Sequence, residues 1–364
     1  MRIALIAPPF ISVPPQKYGG TELFVAVLAN ALHADGHDVV VYANGDSRVD
    51  CELKWRYRHA RWPIVDASMA PLENLDHTVW AIHDAARSAD VIHLNDAIGL
   101  PATLFVDRPV ALTLHHPHIP ELSSFYAAYP RISYVAISAA QARCESMPRV
   151  DVVHHGIPVE AYTFRAQKDD YVAFLGRMAP CKGAHRAIEA ARRAGVRLKL
   201  AGEVQPVFRD YWESQVLPHI DGRDIEYVGE ADFDAKNALL SRARACLFPI
   251  DWDEPFGLVM IESMACGTPV LALPGGSVPE VVRDGVSGWV CGDVDEMAAR
   301  IASLDVTPAS CRSWVEQHFS VDRMVSRYVD FYQRLIARPR AEYAGALRRR
   351  HADASEAGER PTAP

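Results

Sequence analysis

Two cations five positions apart stand in the run Phe174-Leu175-Gly176-Arg177-Met178-Ala179-Pro180-Cys181-Lys182-Gly183. Arg177 offers a planar fork of donors and Lys182 a compact point charge, and a turn that brings them together can hold one diphosphate. The same spacing also allows two solvated loop cations. A second run, Phe248-Pro249-Ile250-Asp251-Trp252-Asp253-Glu254-Pro255-Phe256-Gly257-Leu258-Val259-Met260-Ile261-Glu262, sets two carboxylates around the start of a helix. With the helix beginning near Leu258, Glu262 lies one turn in, roughly 6 Å along the axis. Glu254 and Glu262 therefore serve different parts of one extended ligand and are not assumed to be an acid/base pair. Phe256, Gly257 and Leu258 lie between them, where free helix amides suit a phosphate. A third run, Tyr18-Gly19-Gly20-Thr21-Glu22, opens the first helix, and its glycines let backbone approach an anion closely or simply make a turn. Neither GxGxxG nor GxxxxGK[ST] occurs, so the dinucleotide fingerprint and the P-loop are both absent.

Thr113-Leu114-His115-His116-Pro117-His118 puts three histidines together. Adjacent residues leaving a strand point to opposite sides, and no carboxylate or thiolate is close in sequence to complete a zinc site. One functional histidine, His115 at the strand end, with the others on the loop, is the preferred reading; three polar loop residues is the alternative. Asp251-Trp252-Asp253 has the form DxD, but a three-residue match is cheap and its setting before a helix start needs no metal, so no metal site is expected. Tyr18, Asn95, His116 and Ser138 are candidates for the acceptor side of a cleft, with helix capping as the rival role for Ser138 and for Asp96. The glycines of Leu273-Pro274-Gly275-Gly276-Ser277-Val278-Pro279-Glu280 can line it from the other side.

Elements that position these residues alternate along the chain. Ile3–Ala7, Val39–Tyr42, Asp90–Leu94, Val110–Leu114 and Tyr134–Ile137 read as continuous apolar strands, with a helix over Thr21–His33. A second series follows: Tyr171–Leu175, Arg197–Ala201, Ile225–Val228, Ala245–Pro249 and Pro269–Ala272, with helices at Gly183–Ala194 and Leu258–Ala265. Apolar strands separated by helices imply parallel sheets covered on both faces. The chain thus reads as α/β: two Rossmann-like doubly wound domains facing a cleft at the carboxyl ends of their strands, where open sheets bind ligands. The expected units are 1–164, 165–320, a helix at 321–337 after a break at His318-Phe319-Ser320, and a disordered tail at 338–364.

Length and composition agree. At about 100–200 residues per domain, 364 residues suit two domains. Hydrophobic residues make up 49% and charged residues 23%, a globular balance. A net charge of −8 argues against nucleic acid as the main partner. The seven cysteines are odd in number, widely spaced and without CxxC, which indicates free thiols in a reducing cytoplasm. No apolar run reaches the roughly 18 residues of a membrane span. Arg348-Arg349-Arg350 could give at most a weak peripheral contact with an anionic membrane.

Taken together and in order, these segments resemble the retaining family-4 glycosyltransferases of GT-B fold, also known as glycosyl transferases group 1. The resemblance extends to about residue 337. It rests on Glu254-Pro-Phe-Gly-Leu-Val-Met-Ile-Glu262 as E-x(7)-E, on Gly176-Arg177 with Lys182-Gly183 as G-R-x(4)-K-G, and on Thr113-Leu114-His115 as T-x-H. It implies that Arg177 and Lys182 bind a nucleotide diphosphate, helped by Gly19, Gly20 and the amides around Phe256, Gly257 and Leu258. It further implies that Glu262 holds the ribose hydroxyls, that Glu254 contacts the donor sugar, and that His115 stands beside the transferred sugar and the acceptor. A helix after Ser320 would cross back to the N-terminal domain. Two positions depart from the family pattern: Pro255 stands where a Gly is frequent, and His155-Gly156 where many members have Asn-Gly.

The implied activity is transfer of a hexosyl group from a nucleoside-diphosphate sugar, UDP favoured over GDP, to an acceptor hydroxyl with retention. A nucleoside-diphosphate sugar is the co-substrate, and no cofactor is expected. The acceptor is left open among sugar, lipid and small metabolite. A GT-B epimerase or hydrolase, or a silent sugar-nucleotide-binding protein, is the alternative.

Overall fold

The structure is a computed structural model and describes residues 1–338 apart from Tyr18 and Val65. Tyr18 as an acceptor-side candidate, the tail at 339–364 and its Arg348-Arg349-Arg350 lie outside the described residues.

The first sheet is built from β1 (Arg2–Ile6), β2 (Asp38–Ala43), β3 (Glu52–Trp55), β4 (Val91–Leu94), β5 (Val110–Leu114), β6 (Ser133–Ala136) and β7 (Val150–Val152), in the order β3-β2-β1-β4-β5-β6-β7. Every pairing in it is parallel. The central strands are buried along their length, as apolar runs between helical layers must be. Helix α1 (Gly20–Ala34) covers one face, while α2 (Ala70–Ala85), α3 (Pro120–Ala127) and the short α4 (Ala139–Cys144) connect later strands.

The second sheet contains β8 (Tyr171–Leu175), β9 (Arg197–Ala201), β10 (Ile225–Tyr227), β11 (Cys246–Phe248), β12 (Val270–Ala272) and β13 (Gly288–Val290), ordered β10-β9-β8-β11-β12-β13 and parallel throughout. Its helices are α5 (Ala184–Ala194), the single turn α6 (Arg209–Tyr211), α7 (Phe233–Arg242), α8 (Leu258–Ala265), α9 (Val278–Val281), α10 (Val294–Ala302) and α11 (Pro308–His318). In α5 the residues Ala187, Ile188, Ala190 and Ala191 face the core and Arg192 and Arg193 face out, the stripe expected of a covering helix.

The last helix, α12 (Val321–Ile336), belongs spatially to the first sheet. Met324, Val325, Tyr328, Phe331, Tyr332 and Leu335 recur at helical spacing and are buried in one cluster with Phe24, Leu28 and Leu32 of α1. The chain arrives there through a tie between the two halves: Ile157 donates to Phe319 O at 2.9 Å and Val321 donates to Ile157 O at 3.0 Å.

Strands β3, β7 and β13 and helix α2 are among the elements not apparent in the sequence. β3 is the edge strand Glu-Leu-Lys-Trp, half polar, and β7 and β13 have three residues each. Helix α2 buries Ala81, Ile82 and Ala85 but carries Leu72, Leu75 and Val79 on its exposed side, which blurs its periodicity.

Candidate functional site

A cavity of about 450 Å³ lies between the carboxyl ends of the two sheets, within the size range of small-molecule sites. Gly19, Gly20, His115, His116, Arg177, Lys182, Glu254, Phe256, Gly257, Leu258 and Glu262 all line it. Segments more than 200 residues apart in sequence meet there because both sheets end on the same gap.

Two helix starts face the cavity. Helices α1 and α8 are entered through Gly19 and Gly257 at their N-caps, and neither has a side-chain cap, so their first amides are left for a ligand. Gly257 has φ +81°, and a Cβ there would stand 2.7 Å from Met260 Cε and 3.3 Å from Glu254 Cγ. Only glycine turns the chain into α8 this tightly.

Each carboxylate of the Glu254/Glu262 pair is held by a lysine and an aromatic donor. Glu254 Oε2 accepts from Lys182 Nζ at 2.5 Å and from Trp252 Nε1 at 2.8 Å, and the ammonium lies 4.5 Å from the centre of the Trp252 ring. Glu262 Oε1 accepts from Tyr162 Oη at 3.0 Å and from Lys236 Nζ. Lys236 and Tyr162 are residues that sequence reading missed. Lys236 sits inside α7 with no local motif, and only its position in the cavity wall identifies it. Arg177 Nη1 donates to Gln205 Oε1 at 3.4 Å, on the side where Glu203 also enters the wall.

The histidines of the Thr113–His118 run separate. His116 is exposed in the cavity wall, and His118 Nδ1 lies 3.2 Å from Glu145 Oε1, away from the others. His115 Nε2 is 3.0 Å from Asn95 Oδ1, and its ring lies parallel to that of His155, 5.8 Å away at 12°. Burial holds the imidazole of His115 well below its ordinary pKa, and the neighbouring rings of His155, His116 and His93 add to this. His155, buried and likewise in the cavity wall, is pushed down to about 3 by burial, with His154 adding. Beneath them, His93 bridges Tyr332 Oη at 2.6 Å and Thr113 Oγ1 at 2.7 Å, which ties α12 to the strand that carries His115.

Two candidates from the sequence move. Ser138 does not line the cavity: it is buried at the start of α4, where its Oγ accepts from Gln141 N at 3.1 Å. Asn95 stands one layer back, behind His115, and reaches no cavity surface. Asp96 is also a cap, accepting from Ile98 N at 2.7 Å. The DxD residues are engaged elsewhere: Asp251 pairs with Arg186 at 2.8 Å and Asp253 accepts from Gly276 N at 3.0 Å. Among the described residues no group of three or more His, Cys, Asp or Glu side chains could hold a metal ion.

Two further carboxylates bear on the site. Glu22, buried in the first turn of α1, is pushed up to about 7 by burial, with the charge of Asp96 adding and its own backbone N–H opposing. Glu280 joins the halves: it accepts from Ala139 N at 2.8 Å, Ala140 N at 2.5 Å and His154 Nε2 at 3.0 Å.

Comparison with known proteins agrees with this geometry. The family model "Glycosyltransferase Family 4" matches residues 18–161, and "Glycosyl transferases group 1" matches residues 161–319. The chain is 27% identical over 369 residues to a glycogen synthase of Mycobacterium tuberculosis, covering 86% of this chain and 88% of the relative. It is 26% identical over 348 residues to a D-inositol 3-phosphate glycosyltransferase of Mycolicibacterium smegmatis, covering 88% and 73% respectively. Among solved structures, a sucrose-phosphate synthase of Thermosynechococcus elongatus superposes with a TM-score of 0.76 at 20% identity, over 92% of this chain and 99% of that one.

Proposed function

As a member of the family-4 glycosyltransferases of GT-B fold, the chain is a glycosyltransferase acting with nucleotide-sugar donors, and we propose that it transfers a hexosyl group with retention of configuration. The observation that carries this reading is one cavity that joins two uncapped helix starts, Arg177 and Lys182 to a separate carboxylate pair and a neutral histidine.

In this reading the diphosphate lies against Arg177, Lys182 and the first amides of α1 and α8. Glu262 takes the ribose hydroxyls, and Glu254 the hexosyl group. The bond from the anomeric carbon to the diphosphate breaks as the acceptor oxygen bonds to the same face. The leaving phosphate oxygen takes the acceptor proton. Charge growing on the diphosphate meets cations and amide dipoles already in place, and preorganised electrostatics of this kind supplies several kcal/mol. The compensation comes from these groups, so the proposal calls for no cofactor. UDP is favoured over GDP on family frequency alone. The acceptor is a sugar, lipid or metabolite hydroxyl entering from the His116 side.

Among the described residues no helix is long and apolar enough to cross a membrane. Seven free cysteines, four of them buried, fit a cytoplasmic protein with at most peripheral membrane contact.

Calorimetric titration with UDP, GDP and ADP and with their hexose conjugates, each with and without EDTA, tests the proposal. Tight binding of one nucleotide that survives EDTA is expected. Binding of none, or binding abolished by EDTA, would refute it.

A further inference from the structure

Glu280 is a carboxylate by which the second half of the molecule takes hold of the first. It stands on α9, and the loop before it is locked to the segment that carries Glu254. Gly276 N donates to Asp253 Oδ1 at 3.0 Å, Ser277 N to Glu254 O at 2.9 Å, and Ser277 Oγ to Phe256 O at 2.8 Å. Gly276 has φ +53°, and a Cβ there would stand 2.2 Å from Glu254 O, so the two loops meet backbone to backbone. The start of α9 and the Glu254 loop therefore form one rigid piece.

From that piece Glu280 reaches across in two directions. One arm accepts from Ala139 N at 2.8 Å and Ala140 N at 2.5 Å, the first two amides of α4, where a helix start favours negative charge. The next residue, Gln141, is buried and spends its side chain on the neighbouring strand ends. Its Nε2 donates to Leu114 O at 3.0 Å and to His116 O at 2.7 Å, the carbonyls on either side of His115, and its Oε1 accepts from Ile137 N at 2.8 Å. The other arm accepts from His154 Nε2 at 3.0 Å, and His154 directly precedes His155, whose ring lies parallel to that of His115. Burial pushes the Glu280 carboxyl up, but the hydrogen bonds from His154, Ala139 and Ala140 outweigh it and hold it below its ordinary pKa, so the group is ionised at neutral pH. Glu280 itself does not line the cavity.

We propose that Glu280 is a positioning residue for the transfer reaction: it sets His115 and His155, on the first half of the cleft, against Glu254 and the start of α8 on the second. It touches no substrate. It acts through α4 and Gln141 on the backbone around His115, and through His154 on that of His155. The inference rests on the glycosyltransfer reading of the cavity and adds the part that holds its two walls at a fixed gap. Three donors converging on one carboxylate that is 19% exposed fix that gap more firmly than the ion pair of Lys17 with Glu230, whose lysine side chain is 58% exposed.

The test compares the native protein with Glu280→Ala, which loses both arms, and Glu280→Gln, which keeps one accepting oxygen. Three quantities are read. Calorimetry gives the dissociation constants of UDP and GDP. Release of nucleotide from the hexose conjugate of the tighter one gives kcat and KM. Spectra of protein whose histidines carry carbon-13 give the ring resonances of His115 and His155, assigned with His115→Gln and His155→Gln. Glu280→Ala should bind the bare nucleotide within about 3-fold of the native protein, because Arg177 and Lys182 are untouched. Its kcat should fall about 100-fold, the size of a misplacement of about 1 Å, with a much smaller change in KM. The resonances of both His115 and His155 should shift, and Glu280→Gln should lie between the other two proteins in kcat and in shift. Unshifted imidazole resonances with native kcat in Glu280→Ala would overturn the proposal and leave the nucleotide site standing. So would an equal loss of nucleotide affinity and kcat, which marks general damage to the fold. A native protein that binds no nucleotide would remove the reading on which the proposal rests.

Discussion

Lys236→Met removes a charge and little else, and its consequences follow from the site. The side chain of Glu262 is 3% exposed and that of Lys236 16%, so the pair is largely shielded from water. Deleting one partner of a buried ion pair typically costs 3–5 kcal/mol because the other charge is left behind. Tyr162 still donates to Glu262 Oε1 and the residue lines the cleft, so about 3 kcal/mol is the expected loss. At 2–4 °C per kcal/mol for a unit of this size, the melting temperature should fall by about 10 °C. The second effect separates function from mere stability. Lys236 and Tyr162 occupy Oε1, leaving Oε2 for ribose; without the lysine that orientation is lost. Calorimetry should show UDP bound about 10-fold more weakly by the variant, the loss of about one charge-assisted hydrogen bond. Discrimination against 2′,3′-dideoxy-UDP should shrink in parallel. A variant that melts within about 2 °C of the native protein, less than 1 kcal/mol on the same scale, and keeps native nucleotide affinity and ribose discrimination would refute the reasoning.

Other perturbations test neighbouring parts of the molecule. Lys182→Ala and Arg177→Ala should each reduce kcat/KM by roughly 100-fold or more, the usual loss for one strong transition-state contact, and near-native turnover in both would sink the diphosphate assignment. Glu22 ionises at about 7 when folded and near 4.3 when unfolded, so its contribution to stability is complete below about pH 4.3 and lost as pH rises through 7. Glu22→Gln should therefore gain up to about 4 kcal/mol over the native protein at pH 8 and nothing at pH 4, as read by urea unfolding at both. His77 is buried and pushed down to about 4 by burial, with the backbone of Ala7 and Tyr42 and the charge of Asp76 opposing, so its stabilising contribution holds above about pH 6.5 and disappears as pH falls through 4. His77→Phe should flatten the acid limb of the stability curve by up to about 1.4 kcal/mol per pH unit, and an unchanged limb would place the acid sensitivity elsewhere.

Long-range order was legible where a residue's own neighbours in sequence determine its surroundings. Strands such as Val110–Leu114 are apolar at every position because both faces are covered, and that shows in five letters. The run from Glu254 to Glu262 was legible for a similar reason: a loop, a left-handed glycine and a helix start follow one another along the chain. β13 was not, since Gly288–Val290 becomes a strand only by pairing with Val270–Ala272. Ser138 shows the opposite error. A serine after a strand can face a cleft or cap a helix, and the cap at Gln141 N is satisfied locally whatever lies across the gap. Asn95 was singled out for the cleft but acts through His115, a relation that needs β4 and β5 side by side.

The partners of the two glutamates could not be read from the sequence at all, yet they explain why that spacing works. In each glutamate one carboxylate oxygen takes a lysine and an aromatic donor: Lys182 and Trp252 on Glu254 Oε2, Lys236 and Tyr162 on Glu262 Oε1. Only Trp252 is near in sequence; Lys182 comes from the turn after β8, Lys236 from α7, and Tyr162 from the connection between the sheets. Holding one oxygen in this way restricts how each carboxylate can turn in the cavity wall, so its orientation is set before any ligand binds. It also spreads the negative charge of both glutamates onto lysines that line the same cavity. In the proposed reading a diphosphate entering between them meets a wall whose carboxylates are already compensated, lined as well by Arg177 and the uncapped starts of α1 and α8. In the proposed reading two acidic side chains can thus stand beside a bound diphosphate without repelling it, Glu262 one turn into α8 and Glu254 in the loop before it.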